Sequence, residues 1–247
     1  MYRLPLKTLA SQCWNTVSPV TILYGFFSTT PDLAFAPEHP LPTQLRQANA
    51  ALSHLLNKGI SPANIVIGGD SAGGNLALQL MSHILHPLPS MPPPPALSQA
   101  LAGAMLISPW CEYNANGASF VRNDRKDAIS ARCCAHFAGV VKAGLTPDLE
   151  YYCQPLSAPA SWWKGLDGVY SRVLVTAGEN ECLLDQIIET GTMISRHVKD
   201  TVTMVEPGAV HEEMIIKFTT GEGGSGKEYN AMVGFLSRAF RGGGSRE

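Results

Sequence analysis

Charged residues are scarce in this chain of 247 residues, of which they make up 15%, and the formal net charge is −2. Binding to nucleic acid or to an anionic membrane surface normally rests on a marked excess of basic side chains. The densest basic cluster, residues 122–126, is interrupted by Asn123 and Asp124, which is typical of a solvated loop. The charge pattern therefore predicts no nucleic-acid partner.

Cysteine and histidine do not occur at the spacings that metal sites use. The chain has no Cys-x-x-Cys pair, and no histidine is interleaved with the cysteines at ligand spacing. We therefore expect neither a metal nor another cofactor, no disulfide framework, and a reducing compartment. The 6 cysteines are Cys13, Cys111, Cys133, Cys134, Cys153 and Cys182.

Long apolar runs are also missing. No segment approaches the length of a membrane span, and residues 1–7 are not followed by the apolar stretch that a secretory signal peptide needs. We expect no stable insertion into a membrane and a cytoplasmic location.

The chain does contain short apolar runs that alternate with longer segments of helical period, which predicts an α/β fold with a mostly parallel sheet covered by helices on both faces. The length and the 45% of hydrophobic residues predict a single domain, residues 1–240, followed by a flexible tail at 241–247. Residues 110–168 are weakly periodic and rich in aromatics, and we expect them to form a small cap-like insertion. The predicted strands are 20–24, 64–68, 104–108, 173–176 and 201–205, and the predicted helices are 4–14, 43–57, 72–86, 183–197 and 228–240.

The segment Gly69-Asp70-Ser71-Ala72-Gly73 lies between a β-branched apolar run and a helical pattern. This context is typical of a nucleophile elbow, in which a sharp strand-to-helix turn exposes the serine hydroxyl. Glycines at both ends of the pentad allow strand and helix to approach each other. Ser71 is therefore the candidate nucleophile, and the amide of Ala72 is a candidate oxyanion donor at the start of the helix.

A serine nucleophile needs a base, and the base needs an acid that orients it. His211 follows the predicted strand 201–205 and so lies at a carboxyl end, whereas the other histidines lie on predicted helices or in weak context. For the acid, the loop after residue 176 offers Glu181 and Asp185, which are one helical turn apart. We prefer Glu181, because a loop residue reaches the imidazole more easily than one committed to a helix, and keep Asp185 as the alternative.

Several segments of the chain carry a family resemblance: Gly68-Gly69-Asp70-Ser71-Ala72-Gly73-Gly74-Asn75, Phe35-Ala36-Pro37-Glu38-His39-Pro40, Ile107-Ser108-Pro109-Trp110 and Glu181-Cys182-Leu183-Leu184-Asp185. They resemble the elbow, the Leu-Ala-Pro-Glu loop, the strand after the elbow and the Asp-x-Leu-x-Asp motif of the hormone-sensitive-lipase-like branch of the α/β-hydrolases. Within that branch the fungal esterases and steryl acetyl hydrolases are most similar. The resemblance implies an α/β-hydrolase fold and a carboxylic-ester hydrolase that acts on small apolar acyl esters through an acyl-enzyme.

One departure from the family concerns the oxyanion hole. The family's His-Gly-Gly-Gly loop, which supplies part of that hole, does not occur in this sequence. We therefore expect an N-terminally shortened fold, with either a gap or a new pairing beside the elbow strand. Loss of one oxyanion donor typically costs about two to three orders of magnitude in turnover. The alternative function is accordingly a weakly active or non-hydrolytic homologue, such as a binding protein or an enzyme of natural-product biosynthesis.

Overall fold

The computed structural model describes residues 21–24, 27–29, 34 and 36–241. The predicted helix at residues 4–14 and all but the first residue of the predicted tail lie outside these ranges. Arg241 is the last residue of the final helix.

A six-stranded sheet with the order β2-β1-β3-β4-β5-β6 forms the centre of the structure. Strands β3 to β6 are parallel, and β1 pairs antiparallel with both β2 and β3. The mostly parallel sheet is therefore confirmed, and β1 is the strand that pairs with the elbow strand β3 on the side away from β4. The strands are β1 (Thr21–Tyr24), β2 (Phe27–Thr29), β3 (Ile65–Asp70), β4 (Gly103–Ile107), β5 (Val173–Gly178) and β6 (Thr201–Glu206).

The long helices follow the predicted pattern closely, and α1 has the predicted bounds. Within the described ranges, no helix combines the length and the apolar character that crossing a membrane would require. The helices are α1 (Thr43–Asn57), α2 (Ala72–Leu85), α3 (Ala118–Asn123), α4 (Ala131–Lys142), α5 (Glu150–Cys153), α6 (Leu166–Val169), α7 (Leu184–Ser195), α8 (Glu213–Thr219) and α9 (Gly226–Arg241).

Both faces of the sheet are buried, which explains why the central strands read as continuous apolar runs. Alternate residues of β3 point to opposite faces, so that Ile65 and Ile67 join one apolar cluster and Val66 joins the other. Helices α1, α2 and α7 contribute to the first cluster, and α9 covers the second with residues such as Phe235. The prediction of helices on both faces is confirmed.

Residues 110–168 contain four short α-helices, α3 to α6, joined by turns and 3₁₀ segments. Many of their aromatic side chains are core residues, since Phe120 and Trp163 are almost fully buried. Phe137 in α4 is instead half exposed. Three of its four helices, α3, α5 and α6, have six residues or fewer and are too short to show a repeating apolar stripe, which accounts for the weak periodicity of most of this region.

The turn between β3 and α2, here called the elbow, brings two backbones into direct contact. A Cβ atom on Gly69 would collide with the carbonyl group of Gly73, and one on Gly74 would lie 2.7 Å from Cβ of Pro109. Only glycine fits at both positions, because the clashing atoms at Gly69 are backbone atoms that cannot swing aside.

Replacing Gly69 with alanine should therefore destabilise the protein. We expect the free energy of unfolding in urea to fall by about 2 kcal/mol or more, as in other overpacked cores. Gly139→Ala is the control, because Gly139 lies in α4 with nothing within 4 Å of its would-be Cβ. That variant should be neutral or more stable by up to ~1 kcal/mol, since alanine favours helix. Equal losses in both variants would contradict the close contact at the elbow.

Glu228 in α9 has a buried carboxyl group that contacts strand β5 of the sheet. It is 5% exposed, and its Oε1 accepts a hydrogen bond from Oγ1 of Thr176 at 2.6 Å. Burial raises the pKa of Glu228 to about 7; the bond from Thr176 opposes this shift, and the charges of Glu181 and Glu206 add to it. Ionisation of Glu228 is therefore disfavoured in the folded chain.

This shift makes stability depend on pH in a definite direction. Because the folded state holds the Glu228 proton more tightly than the unfolded state, the free energy of unfolding should fall as pH rises from about 4.5 to about 7. Glu228→Gln keeps an acceptor for Thr176 and removes the ionisation. At pH 8 it should be more stable than the wild type by on the order of 2 kcal/mol in denaturant titrations. Glu222→Gln, at an exposed position, is the control that should show no gain.

Candidate active site

The carboxyl ends of the parallel strands gather the residues that the sequence singled out. Ser71 follows β3, Ser108 follows β4, Glu181 lies in the turn after β5, and His211 lies in the loop after β6. Sites in α/β folds form at this edge because consecutive strands end there side by side.

Ser71 occupies a strained backbone conformation, with φ of 48° and ψ of −112°. Hydrogen bonds hold it from both sides: its N–H donates to the carbonyl of Ile107 at 2.9 Å, and its carbonyl accepts from the amides of Asn75 and Trp110, each at 3.0 Å. Such strain persists only where the surroundings over-determine it. The result is a hydroxyl fixed at the first turn of α2.

A continuous hydrogen-bonded relay starts at this hydroxyl. Oγ of Ser71 lies 3.0 Å from Nε2 of His211, and Nδ1 of His211 lies 3.0 Å from Oε2 of Glu181. The other oxygen of Glu181 accepts from Oγ of Ser108 at 2.6 Å and from the amide of Gly178 at 2.5 Å. Both oxygens of a fully buried carboxylate are thus paired, as burial of a charge requires.

His211 is 5% exposed, so burial by itself lowers the pKa of its imidazole. The hydrogen bond and the charge of Glu181 act in the opposite direction, helped by the charges of Glu212 and Asp127. The net effect is a raised pKa. The site therefore stabilises the imidazolium that would form when His211 takes a proton from Ser71.

Asp185, the alternative acid, is engaged elsewhere. Its Oδ2 accepts the amide of Ser119 at 2.7 Å, and its Oδ1 lies 3.5 Å from a guanidinium nitrogen of Arg122. The structure therefore places Glu181, and not Asp185, on Nδ1 of His211. The reason is local: Glu181 precedes α7, whereas Asp185 lies in its first turn, where it faces α3.

Asp127 is a site residue that the sequence reasoning missed. It lies between α3 and α4, where its Oδ1 accepts the backbone amide of His211 at 2.7 Å and its Oδ2 accepts that of Cys182 at 2.6 Å. One carboxylate thus ties the loop of the candidate base to the turn of the candidate acid. No local signal marked Asp127, since it lies in an irregular, charged stretch that resembles any solvated loop.

The amide of Ala72 opens helix α2 beside the Ser71 hydroxyl. The first four N–H groups of a helix have no acceptor within that helix, so this amide is available to a negative oxygen. Asn75, one turn later, donates to the carbonyls of Trp110 at 2.7 Å and Cys153 at 2.8 Å. These bonds fix the start of α2 against residues 110–168.

A cavity of about 590 Å³ opens beside Ser71 and Ala72. Residues from the start of α1, from α2 and from the end of α4 enclose it, together with residues that follow β4. Most of the side chains that line it are aliphatic or aromatic, for example Leu41, Leu76, Trp110, Phe137 and Val141. The cavity can therefore hold a mainly apolar molecule against the Ser71 hydroxyl.

Among the described residues, no group of three or more His, Cys, Asp or Glu side chains is placed to hold a metal ion. The cysteines of the described ranges are free thiols, and burial raises the pKa of Cys111 and Cys153 to about 12.

Comparison with known proteins gives the relationship of the chain. A model of the family described as "alpha/beta hydrolase fold" matches residues 9–215. The chain is 34% identical to a protein named "Esterase" from Acinetobacter venetianus over 62% of its own length and 46% of that protein. It is 32% identical to an "Acetyl-hydrolase" from Streptomyces hygroscopicus over 60% of its length and 44% of that protein. The aligned part is thus less than half of each relative.

Among solved structures, the chain resembles an esterase from the bacterial hormone-sensitive lipase family. The TM-score is 0.67 at 26% identity, over 87% of this chain and 65% of the other. Carboxyl esterase 2 from the fungus Tuber melanosporum has the same fold, with a TM-score of 0.68 at 18% identity. The chain therefore belongs to the α/β-hydrolase family, within its hormone-sensitive-lipase-like branch.

Proposed function

We propose that the chain hydrolyses carboxylic esters with small apolar acyl groups, using Ser71 as nucleophile, His211 as base and Glu181 as the acid. The observation that carries this proposal is the relay of two 3.0 Å hydrogen bonds that ends on Ser71 at the wall of an apolar cavity. The names of the relatives, esterase and acetyl-hydrolase, support the same reaction class.

The chemistry proceeds in two halves. Oγ of Ser71 attacks the ester carbon while its proton passes to Nε2 of His211, and Glu181 stabilises the imidazolium from Nδ1. The tetrahedral intermediate collapses when Nε2 returns the proton to the departing alcohol, which leaves an acyl group on Ser71. Water then attacks this acyl-enzyme with His211 again as base, and the carboxylic acid departs.

Negative charge develops on the carbonyl oxygen during both attacks. The amide of Ala72 supplies one hydrogen-bond donor to it, from the positive end of helix α2. The alternative of a non-hydrolytic homologue rests on the missing His-Gly-Gly-Gly motif. The complete relay and the relatives' names support hydrolysis instead.

The cavity supports the proposed substrate class. Its apolar lining favours an acyl chain or an alcohol without charge, and its volume of about 590 Å³ suits a small ligand. Binding of this kind needs neither a macromolecular partner nor a cofactor. The substrate partner is accordingly a small-molecule ester, and we keep the cytoplasm as the proposed location.

Ser71→Ala tests the nucleophile. Hydrolysis of p-nitrophenyl acetate and butyrate should fall by at least about 10³-fold, because the residual rate comes from binding and oxyanion stabilisation alone. A fluorophosphonate probe should label the wild type and not this variant. Ser53→Ala is the control, since its hydroxyl bonds to Asn49 within α1 and does not line the cavity. Labelling that persists in Ser71→Ala would refute the assignment, and a folded wild type without labelling or activity would favour the non-hydrolytic alternative.

A pair of variants tests which carboxylate is the acid. Glu181→Gln keeps the shape of the side chain but favours the His211 tautomer with its proton on Nε2, which cannot accept the Ser71 proton. The value of kcat should therefore fall by about 10³-fold to 10⁴-fold. Asp185→Asn should keep kcat within about threefold, because Asp185 bonds to Ser119 and Arg122 rather than to His211. The same ester assay measures both, with circular dichroism to confirm folding. The reverse ranking of the two variants would transfer the role to Asp185.

A further inference from the structure

Nε2 of His211 faces a second group besides Ser71. Oε1 of Glu212 lies 3.7 Å from Nε2, while Oγ of Ser71 lies at 3.0 Å. That carboxylate oxygen is buried and has no hydrogen-bond partner among the described residues. At 3.7 Å it is too far for a hydrogen bond, so it acts on the imidazole through its charge.

The backbone at Glu212 is also unusual. Its φ of 55° and ψ of 28° lie in the left-handed region, which glycine or asparagine adopts at lower cost than glutamate. In the described part of the chain, the non-glycine residues with positive φ are Ser71, Ser108 and Glu212. Ser71 and Ser108 each contribute a side chain to the relay. The third strained residue therefore belongs to the same site by position and by conformation.

Asp70 lies close to Glu212. It is the last residue of β3, it is 8% exposed, and its carboxyl group faces that of Glu212. Burial raises the pKa of Asp70 to about 7, and the negative charge of Glu212 adds to this effect. Below that pH Asp70 is mainly protonated, which limits its repulsion of Glu212.

We propose that Glu212 is a positioning residue of the reaction: its buried carboxylate oxygen, 3.7 Å from Nε2, stabilises the imidazolium of His211 at the nitrogen that Glu181 does not contact. This inference rests on the proposed function, because it assigns Glu212 a role in the proton transfers of His211. It adds a second carboxylate to a relay that otherwise has one.

The two distances from Nε2 of His211 favour proton transfer with the Ser71 hydroxyl over proton transfer to Glu212. In the resting site, the charge of Glu212 makes the Nε2 lone pair a stronger base toward the Ser71 hydroxyl. After the transfer, the new Nε2–H of the imidazolium still points at Oγ of Ser71, 3.0 Å away, rather than at the carboxylate of Glu212, 3.7 Å away. The proton therefore passes to the departing alcohol beside Ser71, and Glu212 stabilises the charge without receiving the proton.

The groups that face this pair set its pH dependence. His211 is faced by Glu181 from the turn after β5, by Asp127 from the segment between α3 and α4, and by Glu212. Asp70 is faced by Glu212 and His211. When pH rises through about 7, Asp70 loses its proton, and its negative charge then acts on both Glu212 and His211.

The proposal can be tested by ¹⁵N NMR titration of the His211 ring together with the pH profile of kcat/KM. In Glu212→Gln the pKa of His211 should fall, so that the acid limb of the profile moves to lower pH. At the plateau, kcat should fall by roughly threefold to tenfold with KM unchanged, because a weaker base transfers the proton less well. A purely structural role of Glu212 would leave the limb where it is.

Three further variants sharpen the test. Glu213→Gln is the matched control, since the adjacent Glu213 pairs with Lys217, accepts the amide of Val210 through an oxygen that glutamine keeps, and is not among the charges that raise the pKa of His211; it should leave the limb unmoved. Glu212→Gly relieves the backbone strain and should keep or raise stability, yet move the limb as Glu212→Gln does. Asp70→Asn cannot ionise and so removes a second titrating group beside His211; in this variant the His211 titration should follow a single-site curve.

The two readouts separate this proposal from the proposed function. An unchanged His211 titration in folded Glu212→Gln would overturn the role of Glu212, whether or not the wild type hydrolyses esters. A shifted titration in a protein whose wild type neither hydrolyses esters nor reacts with a fluorophosphonate would support the Glu212 interaction and overturn the proposed function. A limb that moves equally in Glu213→Gln would also count against Glu212, since the effect would then be one of general surface charge.

Discussion

The site depends on one buried charge, the carboxylate of Glu181. It is fully buried, so each of its oxygens must be compensated by a hydrogen-bond donor. The donors come from different strand ends: Ser108 follows β4, Gly178 ends β5, and His211 follows β6. They converge only because β4, β5 and β6 are parallel and in register, with Ile107 opposite Thr176 and Gly178 opposite Glu206. The sheet is thus a condition of the chemistry, since a slip of register would leave Glu181 uncompensated.

The groups that raise the pKa of His211 are all carboxylates. Glu181 bonds to Nδ1, Glu212 faces Nε2, and Asp127 holds the backbone amide of the histidine. Burial of an imidazole without such partners would favour its neutral form. Their combined charge offsets this effect, which suits the proposed reaction, in which His211 is positively charged for part of each cycle and neutral for the rest.

The sequence alone was sufficient to predict the strands and helices whose apolar residues follow a regular pattern. The central strands are continuous apolar runs, and helices such as α1 have a clear stripe, so both could be predicted to within a few residues. Ser71, His211 and Glu181 were identifiable because each follows a predicted strand of the sheet. Asp127 was not, because its bonds to His211 and Cys182 span 84 and 55 residues of chain and depend on tertiary packing. The preference for Glu181 over Asp185 rested on loop position alone. Sequence could not show the packing of α3 against α7 that engages Asp185.

Residues with disfavoured backbone conformations lie at the candidate site. On backbone grounds, positions 71, 108 and 212 would favour glycine or asparagine, yet the chain has two serines and a glutamate there. Strain of this kind costs on the order of 1–3 kcal/mol per residue, and it persists only where the surrounding structure holds it. The strands that precede these positions are buried or paired along the sheet and can supply that support. Ser71 and Glu212 lie beside the His211 imidazole, and Ser108 bonds to the Glu181 carboxylate that holds it. The conflict between local preference and global fold is therefore itself evidence that these side chains serve one function.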